Sequence, residues 1–157
     1  MTASSNVVIR TATNTDLEVL VGFQVAMAAE SEDKGLNEST LRDGIRFALA
    51  STDLALYIVA EVLGEPVGTL MLTWEWSDWR NGRFWWIQSV YVVPEHRRVG
   101  VYSAMHRHVL TLASQDPKAA GVRLYVEKDN DGAQATYQQL GMDETHYRLF
   151  ETEFVRN

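Results

Sequence analysis

Arg97 and Arg98 stand just ahead of Gly100, between the β-branched run Gln88 to Val93 and a helical pattern that starts at Gly100. A helix start offers unpaired backbone N–H groups and a partial positive charge, so this spacing suits a phosphate or pyrophosphate, and the arginines add charge at the same end. An ordinary strand-to-helix turn with solvated arginines fits the short pattern equally well. The Gly-x-x-x-x-Gly-Lys-Ser/Thr spacing of a nucleotide loop and the Gly-x-Gly-x-x-Gly of a dinucleotide site are both absent. Elsewhere, Glu75 and Asp78 fall among Trp74, Trp76 and Trp79, and Glu30 and Glu32 fall close together. Carboxylates beside aromatic faces suit a cationic amine, although core tryptophans and solvated acids would read the same way. The four histidines, at 96, 106, 108 and 146, lack metal-ligand spacing, so no metal is expected.

The elements that would position these groups follow from periodicity. Val7 to Ile9 is a short apolar run, and Thr15-x-x-Glu18 has capping-box spacing ahead of a helix from about Asp16 to Ala29. Leu41, Ile45, Ala48 and Leu49 mark a second helix. Leu56 to Leu63 and Val67 to Trp74 flank Gly64-Glu65-Pro66 and should pair as a hairpin, with Ser77 to Arg83 forming the next connection. Phe84 to Val93 reads as a long strand ended by Pro94, and Gly100 to Ala113 as a helix. Gly121 to Glu127 alternates as a strand, Ala133 to Leu140 is a short helix with Gly141 as a left-handed cap, and His146 to Phe154 is a last strand. That order describes an α/β or α+β fold with one mixed sheet.

At 157 residues, with 46% hydrophobic and 22% charged residues and no linker-like stretch, the chain is expected to form one domain over 1–157. A net charge of −7 argues against nucleic acid and favours small cationic partners, with solubility alone as an equal explanation. There is no cysteine, hence no disulfide and no thiol nucleophile. No apolar run approaches membrane-spanning length, so no membrane association is expected and the cytoplasm is the default location.

Arg97-Arg98-Val99-Gly100-Val101-Tyr102 resembles the Arg/Gln-x-x-Gly-x-Gly/Ala loop of the GNAT superfamily of acetyl-CoA-dependent N-acetyltransferases. A second stretch, Asn130, Ala133, Tyr137, Leu140, Gly141 and Met142, is similar to that family's later Asn-x-x-Ala-x-x-x-Tyr-x-x-x-Gly-Phe element. The resemblance implies a single mixed, mostly antiparallel central sheet flanked by helices. It also implies acetyl-CoA as cosubstrate, with the pyrophosphate at the backbone of Arg98, Val99, Gly100, Val101, Tyr102 and Ser103 and with Arg97 among the cofactor-binding residues. Tyr102 stands where the family usually carries a small residue.

Acetyl transfer from a thioester to an amine passes through a tetrahedral oxyanion. The resemblance implies that the Val90 backbone contacts that oxyanion, that the strand Val90, Tyr91, Val92 receives the pantetheine arm at Val92, and that Tyr137 protonates the thiolate. Asn130 would hold the pantetheine or position its helix, with plain helix capping as the alternative. Some relatives use a carboxylate on the central strand as base. Gln88 on the corresponding strand cannot serve, so a base or water chain must come from elsewhere. Glu30, Trp74, Glu75 and Asp78 are the candidates for the acceptor side, where the third strand leaves the sheet beside the expected cleft. The acceptor would be a small molecule's or protein's primary amine, and the apolar stretch Tyr147 to Val155 could serve a homodimer. A noncatalytic acyl-CoA-binding module is the alternative.

Overall fold

A computed structural model of the chain describes residues 6–32 and 35–155, with Glu32 described by its backbone alone. The candidate side chain of Glu32 and residues 33–34 of the polar stretch after the first helix therefore lie outside the described residues. Two compact units divide the chain, residues 1–125 and 126–157.

The first unit carries a five-stranded sheet in sequence order: β1 (Val7–Thr11), β2 (Leu56–Val62), β3 (Glu65–Ser77), β4 (Gly82–Val92) and β5 (Ala119–Arg123). The first three pairings are antiparallel and β4 to β5 is parallel, the mixed, mostly antiparallel sheet expected. Helices α1 (Leu17–Glu32) and α2 (Glu38–Ala50) cover one face, where Leu20, Val21, Ile45 and Ala48 meet Tyr57 and Val59. Helix α3 (Val101–Ser114) covers the other. Its stripe Val101, Met105, Val109 and Ala113, four residues apart, packs on Ile58, Leu70, Leu72, Trp85 and Ile87.

Local chemistry moved several expected boundaries. The helix entry is capped by Thr13 and Asp16 rather than Thr15 and Glu18. The Asp16 carboxylate accepts from the Thr13 N–H at 2.7 Å and is gripped by two Arg10 nitrogens at 2.8 Å, while Glu18 pairs outward with Arg42. The β2–β3 turn is Leu63-Gly64, both at positive φ (51° and 79°), so Glu65 and Pro66 join β3 instead of the turn. β3 likewise runs on to Ser77 and β4 begins at Gly82, leaving a short connection of residues 78–81. β5 ends at Arg123, short of the expected Glu127.

In the second unit, α4 (Asp131–Gln139) is capped by Asn130, whose side chain accepts from the Ala133 N–H at 3.1 Å, and Gly141 takes the left-handed cap at φ 92°. The strand expected over residues 146–154 is not formed. Its alternation of Tyr147, Leu149 and other apolar residues is a strand pattern, but these side chains stand largely exposed and no described strand pairs with the segment. Alternation alone supplies no ladder partner, and a strand needs one.

Candidate active site

β4 carries one residue too many for its neighbour. Thr69 lies opposite Tyr91 and Met71 opposite Gln88, so Leu70 alone faces both Ser89 and Val90. This is a β-bulge, and Ser89 takes the left-handed conformation (φ 54°) to make it. The extra residue inverts the side-chain alternation. Trp85 and Ile87 pack toward α3 before the bulge, and Val90 and Val92 pack toward it afterwards. Tyr91 turns to the α1 face, its ring centroid 5.5 Å from that of Phe23. Gln24, nearly fully buried on α1, donates to the Ser89 carbonyl at 3.2 Å and so ties the bulge to the helix.

β4 also parts from β5. The parallel ladder stops at Trp86 opposite Arg123, whereas pairing with β3 continues to Val92 opposite Gly68. From Ile87 to Val92 one edge of β4 therefore has no strand partner among the described residues. The Val93 N–H bonds to the Val67 carbonyl at 2.9 Å. Since antiparallel pairs alternate, Val92 must then point its own N–H and carbonyl to the open edge. The Val92 carbonyl does accept from outside the sheet, from Arg97 Nε at 2.8 Å.

The chain leaves β4 through a 3-10 turn at Pro94–His96 and reaches α3 with Arg98 (φ 63°) and Gly100 (φ 88°, ψ 12°) both left-handed. Glycine is the residue that adopts this conformation without a Cβ clash. The first intrahelical bond runs from Ala104 N–H to the Gly100 carbonyl at 3.0 Å, so the amides of Val101 and Ser103 precede the ladder. Left-handed residues leading into a helix turn make a concave array of backbone N–H groups suited to an anion. Arg98 and Val99 are exposed at this loop, and Arg98 has no ion pair among the described residues. The Tyr102 hydroxyl lies 3.0 Å from Nδ1 of His106, one turn along the same helix, so its ring runs along α3. His106 is fully buried, and burial pushes its pKa down, with the Arg107 charge adding to the effect.

The four acceptor-side candidates do not come together. Trp74 packs toward α3, edge-on to Trp85 at 5.7 Å with the Arg83 guanidinium over it at 4.8 Å, and belongs to the core margin. Glu75 accepts from Arg123 Nη1 at 2.8 Å and Trp86 Nε1 at 3.1 Å. It sits opposite Phe84, six residues before Val90 along β4, which is roughly 20 Å at strand rise. That reach is too long for a base acting at Val90. Asp78 is exposed in the hairpin connection, where its carboxylate accepts from the Trp79 N–H at 2.9 Å. Glu30 joins the loop instead, 2.7 Å from Arg97 Nη2. Gln88 donates its amide to Thr73 Oγ1 on the α1 face.

Sequence reasoning missed Gln24 and Arg123. Gln24 left a signal, a lone amide inside the apolar run Leu20 to Met27; Arg123 left none, since its partner Glu75 is 48 positions away.

In the second unit, Asn130 spends its side-chain oxygen on the Ala133 amide, the capping alternative, and burial raises the pKa of the Tyr137 phenol. Among the described residues no group of His, Cys, Asp and Glu could hold a metal, and no helix is long and apolar enough to cross a membrane.

The structure of a possible acetyltransferase from Clostridium difficile 630 is 39% identical, with a TM-score of 0.88 over 96% of this chain and 99% of that one. A predicted acetyltransferase from Clostridium acetobutylicum, solved with acetyl-CoA, shares the fold at 19% identity (TM-score 0.75; 93% and 96% covered). So does AAC(6')-Iy in complex with the bisubstrate analogue CoA-S-monomethyl-acetylneamine, at 18% identity (TM-score 0.76; 95% and 99% covered). No curated protein matches the chain. The model of the acetyltransferase (GNAT) family matches residues 23–142, and the chain belongs to that family.

Proposed function

We propose that this chain is an N-acetyltransferase that moves an acetyl group from acetyl-CoA directly to a primary amine. The observation that carries the reading is the bulged, unpaired edge of β4 running straight into a left-handed glycine at a helix start. An extended pantetheine arm pairs with such an edge as a strand would, at Val92 N–H, and the pyrophosphate then falls at the backbone of residues 98–103. Tyr91 takes no part in this edge through its side chain, which faces α1.

The thioester lies beside Val90, whose backbone N–H stabilises the developing oxyanion. Loss of one such donor typically costs about 10²- to 10³-fold in rate. Tyr137 protonates the departing thiolate, and its raised pKa keeps the phenol protonated throughout the neutral range. Asn130 serves by holding the start of α4 in place.

The acceptor must arrive as a neutral amine, and a lysine-like ammonium has a pKa of about 10.4. Gln88 cannot take that proton and Glu75 is too distant along the sheet, so water carries it away. Glu75 can still meet the far end of a long cationic acceptor. Incubation with acetyl-CoA and a panel of primary amines, followed by free-thiol release, tests the reading; binding of CoA with no amine-dependent release would leave only a noncatalytic binder. The cytoplasm fits this chemistry as the place where acetyl-CoA and amines meet.

A further inference from the structure

Arg97 is the residue of the loop with the most partners, and its side chain meets residues of β4 and α1. Its Nε donates to the Val92 carbonyl at 2.8 Å, on the open edge of β4. Its Nη2 donates to Glu30 Oε2 at 2.7 Å, near the end of α1. Its guanidinium carbon lies 5.4 Å from the Tyr91 ring centroid, and the Tyr91 hydroxyl reaches the other Glu30 oxygen at 3.5 Å. The planar fork is thus divided between the last residues of β4 and a helix on the far side of Tyr91.

We infer that Arg97 is a positioning residue for the phosphate loop, a strut set by Glu30, rather than a ligand of the phosphates. The inference rests on the acetyl-CoA reading of the site. Residues 94–100 contain two left-handed positions and only a short 3-10 turn, and a loop of that kind loses conformational freedom when it closes on an anion. Arg97 removes part of that freedom in advance, because one rigid guanidinium fixes the strand end and the loop to α1 together. Preorganisation of this sort appears as tighter binding without any added ligand contact. Lysine cannot substitute, since a single ammonium on a flexible stem does not span two acceptors in fixed directions.

The two roles for Arg97 predict opposite results. If Glu30 merely competed with phosphate for the guanidinium, removing its charge would tighten CoA binding. A strut loses its anchor and binding weakens. The test is calorimetric titration of the full chain with CoA, comparing wild type with Glu30→Gln, Arg97→Met, Arg97→Lys and the double variant Glu30→Gln/Arg97→Met. Each single variant is expected to weaken binding on the order of two- to fivefold, the scale of a partly exposed ion pair. Arg97→Lys should be as weak as Arg97→Met, and the double variant no weaker than Arg97→Met alone, because Glu30 acts only through Arg97. Wild-type affinity in Arg97→Lys, unchanged or tighter binding in Glu30→Gln, or simply additive losses would each overturn the inference. A wild-type chain with no measurable CoA binding would instead remove the acetyl-CoA reading itself.

Discussion

Gln24 on α1 reaches the Ser89 carbonyl on β4 at 3.2 Å, and Ser89 is the residue whose left-handed backbone creates the bulge beside Val90. One buried amide thereby ties the bulge to α1. Gln24→Leu keeps the volume of the side chain and removes the donor. The expected stability loss is about 1 kcal/mol, the usual net value of such a bond. The rate should suffer more, roughly tenfold or beyond, because a small displacement of Val90 misplaces the proposed oxyanion contact. Thermal melting and kcat measured on the same preparation check the pair of outcomes.

Tyr137→Phe deletes the proposed acid and keeps the ring. We expect kcat to fall by about 10²-fold while the Kd for CoA stays as in wild type. The raised pKa of the phenol also fixes the pH profile. Activity should climb with pH as the acceptor amine loses its proton, with no descending limb from Tyr137 below about pH 10. A phenylalanine variant that turns over normally would strip the residue of its role.

Gly100 sits at φ 88° at the start of α3. Alanine there brings a left-handed strain of roughly 1–2 kcal/mol, which the loop relieves by moving. CoA affinity in Gly100→Ala should drop by about tenfold, read by calorimetry, with the far-ultraviolet spectrum unchanged.

Buried His106 makes stability depend on mild acid. Its folded pKa lies below the ordinary value because burial disfavours the charged form. A depressed pKa means that the unfolded chain binds the proton first, so stability is whole above about pH 6.5 and declines as pH falls below it. Urea melts between pH 7.5 and pH 5 should show this decline. In His106→Gln, which keeps an acceptor for Tyr102, it should flatten.

Asp16 acts lower on the scale. Hydrogen bonds from Arg10 hold its carboxyl below the usual range, against the opposite pull of burial. The ion pair therefore stabilises the fold above about pH 4 and is lost as pH falls through the lowered value. Asp16→Asn should cost about 2 kcal/mol at pH 7, less than a fully buried pair because Arg10 is partly exposed. Its deficit relative to wild type should shrink in strong acid, which denaturant titrations at pH 7 and pH 3 would reveal.

Periodicity made most of the sheet and all four helices legible, because Val101, Met105, Val109 and Ala113 or Tyr57 and Val59 announce their buried faces directly. The strand-to-helix turn ahead of α3 was legible too, through Gly100. The bulge at Ser89 was not, since serine gives no sign of a left-handed backbone and the parity change from Ile87 to Val90 falls between two apolar stretches, Phe84 to Ile87 and Val90 to Val93. Residues 146–154 show the converse, an alternating pattern without a partner strand. The acceptor side misled most. Trp74 and Glu75 are neighbours in sequence but face opposite sides of β3, and Glu30 finds Arg97 across 67 positions, a pairing that only the fold creates.

The most direct test of acetyl transfer to an amine is the release of free thiol from acetyl-CoA by the full chain against a panel of primary amines that includes polyamines, amino acids and amino sugars. The account predicts release that depends on both chain and amine, rises with pH, and collapses in Tyr137→Phe. Saturable CoA binding with no amine-dependent thiol release from any member of the panel would contradict it.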